Sequence, residues 1–386
     1  MKKPLLIVLL ILAALLILPV LNLLQWAFME KKAMNIIIVD KTVPSIHREK
    51  HKSFNWILTN NRFVNRETNR SFSFRKDYYG FIPTRPLKKK LWDRKEYRLA
   101  DLKELPEKAD AIYVTDTYGV FFNEWYQGFS QSRRTRKIYG GLNNNDNLLI
   151  KEMKDRNKLV VMEYNSFDFP TAEYESFRAQ ERLGIRFTGW TGKYFSSLDS
   201  ASRGFPAWMP GMYRKQYHEP WSFTRPGIVL LQEHRIIVLE EGTHLTNPFP
   251  AIVTDDTYSS SWNLAGRVTF DQWFDIIDPM ENDVISRFMI STTGPGDSLL
   301  AENSLANEFP AVIREPEERK TYYFSGDFAS KDIKYCTSRF RNYEKLKGIL
   351  YSKRADDPRR FFWLYYKPLI QGIFNEYYNT SGAGRK

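Results

Sequence analysis

The sequence predicts an α/β protein built on a mainly parallel, doubly wound sheet, with a β-rich insertion and one transmembrane helix ahead of it. Three observations predict this. From residue 34 to about 200, short apolar strands alternate with amphipathic helical segments, a pattern that implies right-handed crossovers and helices on both sheet faces. From about 200 to 305 the pattern turns β-rich. Ahead of both, about 25 mostly apolar and uncharged residues run from Pro4 to Phe28, more than the roughly 20 that a helix needs to cross a bilayer core. The expected organisation is an anchor with its flanks at 1–33, an α/β domain at 34–335 and a helical segment with a tail at 336–386.

The apolar stretch lacks the short core and the small-residue cleavage site of a cleaved signal peptide. It reads as an uncleaved signal anchor that uses the lipid bilayer as a partner through residues 4–28, with Trp26 at the headgroup level. Lys2 and Lys3 favour an inside amino end and an exported domain, while Lys31, Lys32, Lys41 and Arg48 bias the other way under the positive-inside rule. Export is the expectation, placing a single-pass protein in a bacterial inner or plasma membrane.

The α/β elements follow in order. "MNIIIVDKT" (34–42) is a short β-branched strand, and "HKSFNWILTN" (51–60) carries Phe54, Ile57 and Leu58 at helical spacing. "ADAIYVTDTYG" is a second buried strand. "NDNLLIKEMKDRNKLVVMEYN" supplies a helix with Leu148, Leu149 and Met153 on one face, then the strand Leu159–Met162. "PTAEYESFRAQERLG" is a helix ending near Gly184, and "IRFTGW" the strand after it. "PGIVLLQEHRIIVLEEGT" is a hairpin around "QEHR", and "FPAIVTDDTY" adds a strand. "FPAVIREPEERKTYYFSGDFA" (309–329) returns to two strands joined by a charged turn. In the last fifty residues "RRFFWLYYKPLIQGIF" fits either a helix docked on the sheet or a basic, aromatic helix on a membrane surface, and "NTSGAGRK" is expected to be disordered.

Composition narrows the chemistry. The formal charge is +12, dispersed in small clusters at Lys88–Lys90, Arg133–Lys137 and Arg359 with Arg360. No nucleic-acid motif accompanies them, so nucleic acid is not an expected partner. The single cysteine, Cys336, excludes an internal disulfide and any multi-cysteine metal site. Among five histidines only His47 and His51 stand four apart, and no metal or other cofactor is expected. Aromatic residues reach 15%, many beside Arg, Asn or Asp, a mixture that suits polar-ring ligands such as sugars.

Open parallel sheets bind ligands outside the carboxyl ends of their strands. The predicted strands deliver Asp40, Lys41 and Thr42; Asp116, Thr117 and Tyr118; Glu163, Tyr164 and Asn165; Trp190, Lys193 and Tyr194; and Ser325, Gly326 and Asp327 to such an edge. The expected ligand-binding set is therefore Asp40, Lys41, Asp116, Tyr118, Glu163, Asn165, Trp190, Tyr194 and Asp327. Within it Asp116 and Glu163 form a carboxylate pair able to do acid/base work on a glycosidic or acyl bond. The same acids could instead cap helices or pair with Lys41 and Lys193.

Three stretches resemble the class I glutamine amidotransferase-like superfamily, particularly its ThuA-like and membrane-associated non-enzymatic branches. "ADAIYVTDTYGVF" resembles the family's strand and loop, with Gly140 and Gly141 as the paired glycines opposite. "IYGGLNNNDNLLIKEMKDRNKLVVMEYN" resembles its glycine turn, helix and strand leading to the nucleophile elbow. "FPAVIREPEERKTYYFSGDFA" resembles its closing strands. The likeness covers roughly 34–200 and 305–330 and implies a flavodoxin-like sheet. At the elbow, where the family carries a cysteine in G-x-C-x-G, this chain has "MEYNSF"; Cys336 lies far away and Ser166 lacks flanking glycines. Without a thiolate, glutaminase chemistry has no nucleophile.

Two functional readings follow. In one, a catalytically dead amidotransferase-like domain binds a polar ligand, a polysaccharide or an envelope protein, in exopolysaccharide or envelope assembly. In the other, a carbohydrate-active hydrolase or lyase uses Asp116 and Glu163. A structural subunit of a membrane complex is a third. Carboxyl groups about 5–10 Å apart across an open groove would favour the enzyme, and carboxylates buried in ion pairs would favour binding.

Overall fold

Fourteen strands and seven helices position the site in the computed structural model, which describes residue 17 and residues 19–84, 89–128, 135–202, 204–316, 320–354 and 356–381. The strands are β1 (Ile36–Asp40), β2 (Tyr79–Pro83), β3 (Trp92–Lys95), β4 (Ala111–Asp116), β5 (Leu159–Glu163), β6 (Arg186–Phe195), β7 (Gly227–Gln232) and β8 (Arg235–Glu240). They continue as β9 (Ala251–Thr254), β10 (Arg267–Thr269), β11 (Phe274–Asp278), β12 (Asp283–Met289), β13 (Glu308–Arg314) and β14 (Thr321–Phe324). The helices are α1 (Glu49–Asn60), α2 (Asn144–Asp155), α3 (Glu173–Leu183), α4 (Met209–Tyr217), α5 (Asp256–Trp262), α6 (Gly294–Glu302) and α7 (Lys367–Thr380).

Strands β14, β5, β4, β1 and β2 lie side by side in that order and run parallel. They are buried on both faces, so they read as continuous apolar runs. Successive side chains of β1 go to opposite faces: Ile36 and Ile38 pack with Phe54 and Trp56 of α1, while Ile37 and Val39 pack with Leu149 and Met153 of α2 and Ala179 of α3. Asn143 caps α2, accepting from the amides of Asn145 and Asp146, and Gly184 (φ 61) ends α3.

The expectation of a mainly parallel, doubly wound sheet, flavodoxin-like or amidotransferase-like, is corrected at this point. The main sheet has ten strands and is mixed, in the order β10–β9–β12–β13–β14–β5–β4–β1–β2–β3. β3 pairs antiparallel at one edge, and β13, β12, β9 and β10 extend the other edge antiparallel. For two of these pairings the reason is connection length. A parallel neighbour needs a crossover of a dozen or more residues, and the short links at 84–91 and 315–320 can only return the chain antiparallel, as β2–β3 and β13–β14 do.

A second correction concerns "IRFTGW". It becomes β6, which leaves the main sheet because the place beside β5 is taken by β14. β6 joins a separate antiparallel sheet of four strands, β8–β7–β6–β11, containing the expected β7–β8 hairpin. This sheet meets the main one where Phe274 bridges Gly326 and the Asp275 amide donates to the Ser325 carbonyl at 2.6 Å.

The single-pass anchor over 4–28 is also corrected. Among the described residues no helix is long and apolar enough to cross a membrane, and placement in a bacterial inner or plasma membrane loses the span it rested on. Residues 4–16 and 18 lie outside the described residues. The helix at 19–27 closes onto the domain: Trp26 is buried, its Nε1 donating to the Thr59 carbonyl at 2.9 Å and its ring lying under the Arg62 guanidinium. Burial in the fold, and not a headgroup region, is what holds this tryptophan.

The carboxyl-terminal aromatic stretch docks on the sheet. Turns at Arg359–Phe361 and Phe362–Tyr366 run into α7, and Phe374 packs 5.5 Å from Phe54 on the face of α1. Of the expected disordered tail, residues 382–386 lie outside the described residues.

Candidate functional site

The carboxyl ends of the parallel strands gather most of the predicted residues. Chain order reverses between β1 and β4: β1 passes through α1 to β2 on one side, and β4 passes through α2 to β5 on the other. A crevice forms outside the strands at such a switch point. The loops from β1, β4, β5 and β14 meet there, with α1 supplying Lys50 and His51 from its first turn.

Asp40 and Lys41, adjacent at the end of β1, diverge. Asp40 is fully buried, accepting from the Thr42 amide at 3.0 Å, with His51 Nδ1 at 2.5 Å from its other oxygen. His51 Nε2 donates to the Phe74 carbonyl at 2.7 Å, so both ring nitrogens are engaged. Lys41 turns to the start of α2, 2.5 Å from Asp146 and 2.9 Å from the Gly141 carbonyl, and Tyr97 donates to the same Asp146. Both residues hold the edge together and neither offers a free head.

Asp116 is the hub. One carboxylate oxygen accepts from Thr42 Oγ1 at 2.7 Å and from the Tyr118 amide at 2.8 Å; the other lies 3.2 Å from Lys50 Nζ. Burial is the main reason its carboxyl sits above the ordinary aspartate range, at about 6, with Lys50 pulling it down and Asp327 pushing it up. Lys50 also reaches Asp327 at 2.5 Å. Since β4 and β14 flank β5 on either side, this ammonium spans the end of β5.

The loop after β4 lies backbone against backbone on the predicted paired glycines. A Cβ on Gly119 (φ +97) would stand 2.0 Å from the Tyr139 carbonyl, and one on Gly140 2.5 Å from the Gly119 Cα. The Gly141 amide donates to the Thr117 carbonyl at 2.6 Å.

Glu163 is placed differently from the sequence expectation. It is fully buried: Tyr113 donates its hydroxyl to one oxygen, and the amides of Phe328 and Ala329 donate to the other at 3.1 and 3.0 Å. Burial pushes its pKa well above the usual glutamate range despite those donors. Two residues on, Asn165 occupies the turn that follows β5 with φ 67, a left-handed conformation that asparagine tolerates. Its amide nitrogen donates to Asp275 at 3.1 Å and its carbonyl accepts from Thr117. Its half-exposed side-chain amide makes no hydrogen bond among the described residues. Ser166 is buried, its hydroxyl donating to the Glu163 carbonyl at 3.0 Å.

The second sheet covers this edge from above. Asp327 donates its amide to the Trp273 carbonyl at 2.9 Å, and the Trp273 ring stands 5.4 Å from Lys193 Nζ. Lys193 thus approaches the Lys50–Asp327 pair from β6. Trp190 is buried in the second sheet under the Arg235 guanidinium, and Tyr194 stacks on Phe249 at 4.3 Å, its hydroxyl pushed up to about 12 by burial. The structure brings together Asp40, Lys41, Asp116, Tyr118, Glu163, Asn165 and Asp327, while Trp190 and Tyr194 belong to other packing.

No family model matches the chain, and no curated protein matches it. Two solved structures show a partial likeness. One is a β-galactosidase from Bacillus circulans sp. alkalophilus, at 9% identity over 78% of this chain and 30% of that chain, TM-score 0.32. The other is a β-galactosidase from Rahnella sp. R3, at 8% identity over 90% of this chain and 32% of that chain, TM-score 0.34. The chain spans about a third of the length of those enzymes. A likeness at that level assigns neither fold nor activity.

Sequence reasoning missed Lys50, Trp273 and Asp275. Lys50 was open to the edge rule, because the first turn of a helix following a parallel strand lies at that edge. Asp275 interrupts the apolar run "WFDIID", an acid at a buried strand position, which is itself a signal. It is buried, with one oxygen bonded to the Asn165 amide and the Tyr323 hydroxyl and the other without a partner among the described residues. Cys336 is exposed in the turn Tyr335–Arg339, which packs at the far end of α1. Among the described residues no group of three or more His, Cys, Asp or Glu is placed to hold a metal ion.

Proposed function

We propose that the chain binds a polar, saccharide-like ligand at the carboxyl edge of its parallel strands, without hydrolysing it. The observation that supports binding over catalysis is the burial of Glu163. A glycosidase needs two carboxyl groups facing the scissile bond. Here one of the two candidates is sealed beneath the edge, its oxygens occupied by Tyr113 and by two backbone amides. The other, Asp116, is neutralised by Lys50.

The groups partly exposed at this edge are the rings of Tyr118, which packs on Phe121, and Trp273, the Asn165 amide and the Lys193 ammonium. Rings beside an amide and charged heads suit a sugar, whose faces are apolar and whose edges carry hydroxyls.

A glycan array probed with the full chain tests this. The wild type is expected to retain a defined subset of glycans, which Tyr118→Ala loses and Asn165→Gly weakens while keeping the turn's backbone. Prolonged incubation with a retained glycan should release no reducing sugar. A blank array, or sugar release abolished by Asp116→Asn, would sink the reading.

A further inference from the structure

Three lysines around the edge are paired and a fourth is not. Lys41 is bonded to Asp146, Lys50 to Asp116 and Asp327, and Lys331 to Asp271 at 2.7 Å. Lys193 makes no hydrogen bond or ion pair among the described residues. Its head lies 5.4 Å from the Trp273 ring and 5.5 Å from the Phe195 ring. Aromatic faces hold a cation in place, but they satisfy none of its three N–H donors. The two carboxylates nearest in electrostatic reach, Asp327 and Asp271, are the ones already bonded to Lys50 and Lys331.

We propose that the ligand bound at this edge carries an anionic substituent on its sugar ring, a carboxylate or a sulfate, and that Lys193 receives it. This rests on the saccharide reading above and names the class of sugar. An incoming anion supplies the acceptor that Lys193 lacks, in a partly desolvated setting where a charge-assisted hydrogen bond is stronger than at an open surface. Burial, reinforced by the Lys50 charge, holds the Lys193 pKa below the ordinary lysine value, and a bound anion would restore it. The Trp273 ring beside the ammonium offers a face for the sugar that bears the anion. A neutral sugar would use the ring and leave the ammonium unpaired.

Titration calorimetry on the full chain at physiological salt tests the proposal with three probes: trigalacturonate, its neutral methyl ester and a sulfated galactose trisaccharide. The wild type is expected to bind one of the anionic probes about tenfold more tightly than the ester, and which one binds separates carboxylate from sulfate. Lys193→Gln should bring that probe and the ester within about twofold, and Lys193→Arg should keep the preference. Lys215→Gln removes the same charge from the exposed face of α4 and should leave the ratio unchanged. A wild type that binds neither anionic probe more tightly than the ester overturns the role of the anion and leaves the saccharide reading standing. A ratio that falls as far in Lys215→Gln as in Lys193→Gln also overturns it, since the +12 net charge would then be the attraction. No binding to any probe, with a blank glycan array, overturns both readings.

Discussion

Lys50 Nζ lies 2.5 Å from Asp327 and 3.2 Å from Asp116, so one ammonium in the first turn of α1 ties the ends of β4 and β14 together. Burial opposes its charge, and the two carboxylates more than reverse that, leaving its pKa above the ordinary lysine value. Lys50→Met would leave two buried carboxylates facing each other. The expected loss is about 3–5 kcal/mol at pH 8, and less at pH 5, below the raised Asp116 value of about 6, where that carboxyl can take up a proton. Urea unfolding at the two pH values checks this; equal losses would mean the ammonium does not compensate these charges.

Glu163 separates a structural carboxyl from a catalytic one. With its pKa raised by burial, a glutamine should replace it closely, the amide oxygen accepting from Phe328 and Ala329 and the amide nitrogen meeting Tyr113. Glu163→Gln is expected to change stability by less than about 1 kcal/mol, and Glu163→Ala to lower it by about 2–4 kcal/mol through a cavity and orphaned donors. Denaturant midpoints measure both. A large loss in Glu163→Gln would show that the ionised carboxylate is needed.

The pH dependence follows from Asp275 and Asp116, raised mainly by burial to about 7 and about 6. Between the ordinary aspartate value of about 4 and these values, the folded state holds more protons than the unfolded chain. Stability should therefore fall as pH rises from about 5 to about 8. Asp275→Asn cannot ionise, and its thermal midpoint should drop less over that range than the wild type's, the difference being a few degrees. Parallel melting curves for the two proteins at every pH would refute the assignment.

Two glycines give opposite predictions. Gly119→Ala puts a methyl 2.0 Å from the Tyr139 carbonyl in a left-handed conformation, and should destabilise by about 1–3 kcal/mol while displacing the Tyr118 loop. Gly211→Ala, inside α4 with nothing within 4 Å of the new methyl, should stabilise by about 0.5–1 kcal/mol. Thermal melts of both variants decide the point, and a neutral Gly119→Ala would show that the loops can part.

Much of the edge was legible because β1, β4, β5 and β14 are short, apolar on both faces and punctuated by polar residues, and a buried parallel strand has no other way to end. Their residues Asp40, Asp116, Asn165 and Asp327 do meet. Trp190 and Tyr194 do not join them, since nothing in "IRFTGWTGKYF" says which sheet it will enter; that is settled by β14 occupying the place beside β5. The antiparallel pairs β2–β3 and β13–β14 were less visible in strand composition than in the short links at 84–91 and 315–320 that return the chain.

Periodicity and punctuation are local, and so the strands, the capped helices and the edge where polar residues collect can be read from the chain alone. Which carboxylate is held by backbone amides and which by an ammonium depends on contacts between residues far apart in sequence. Glu163 meets amides 165 and 166 residues away, and Lys50 meets Asp327 across 277. Residue type does not encode such pairings. Packing the terminal helix, the second sheet and α1 onto one parallel core created them, and left Lys193 beside the edge with no hydrogen bond or ion pair among the described residues.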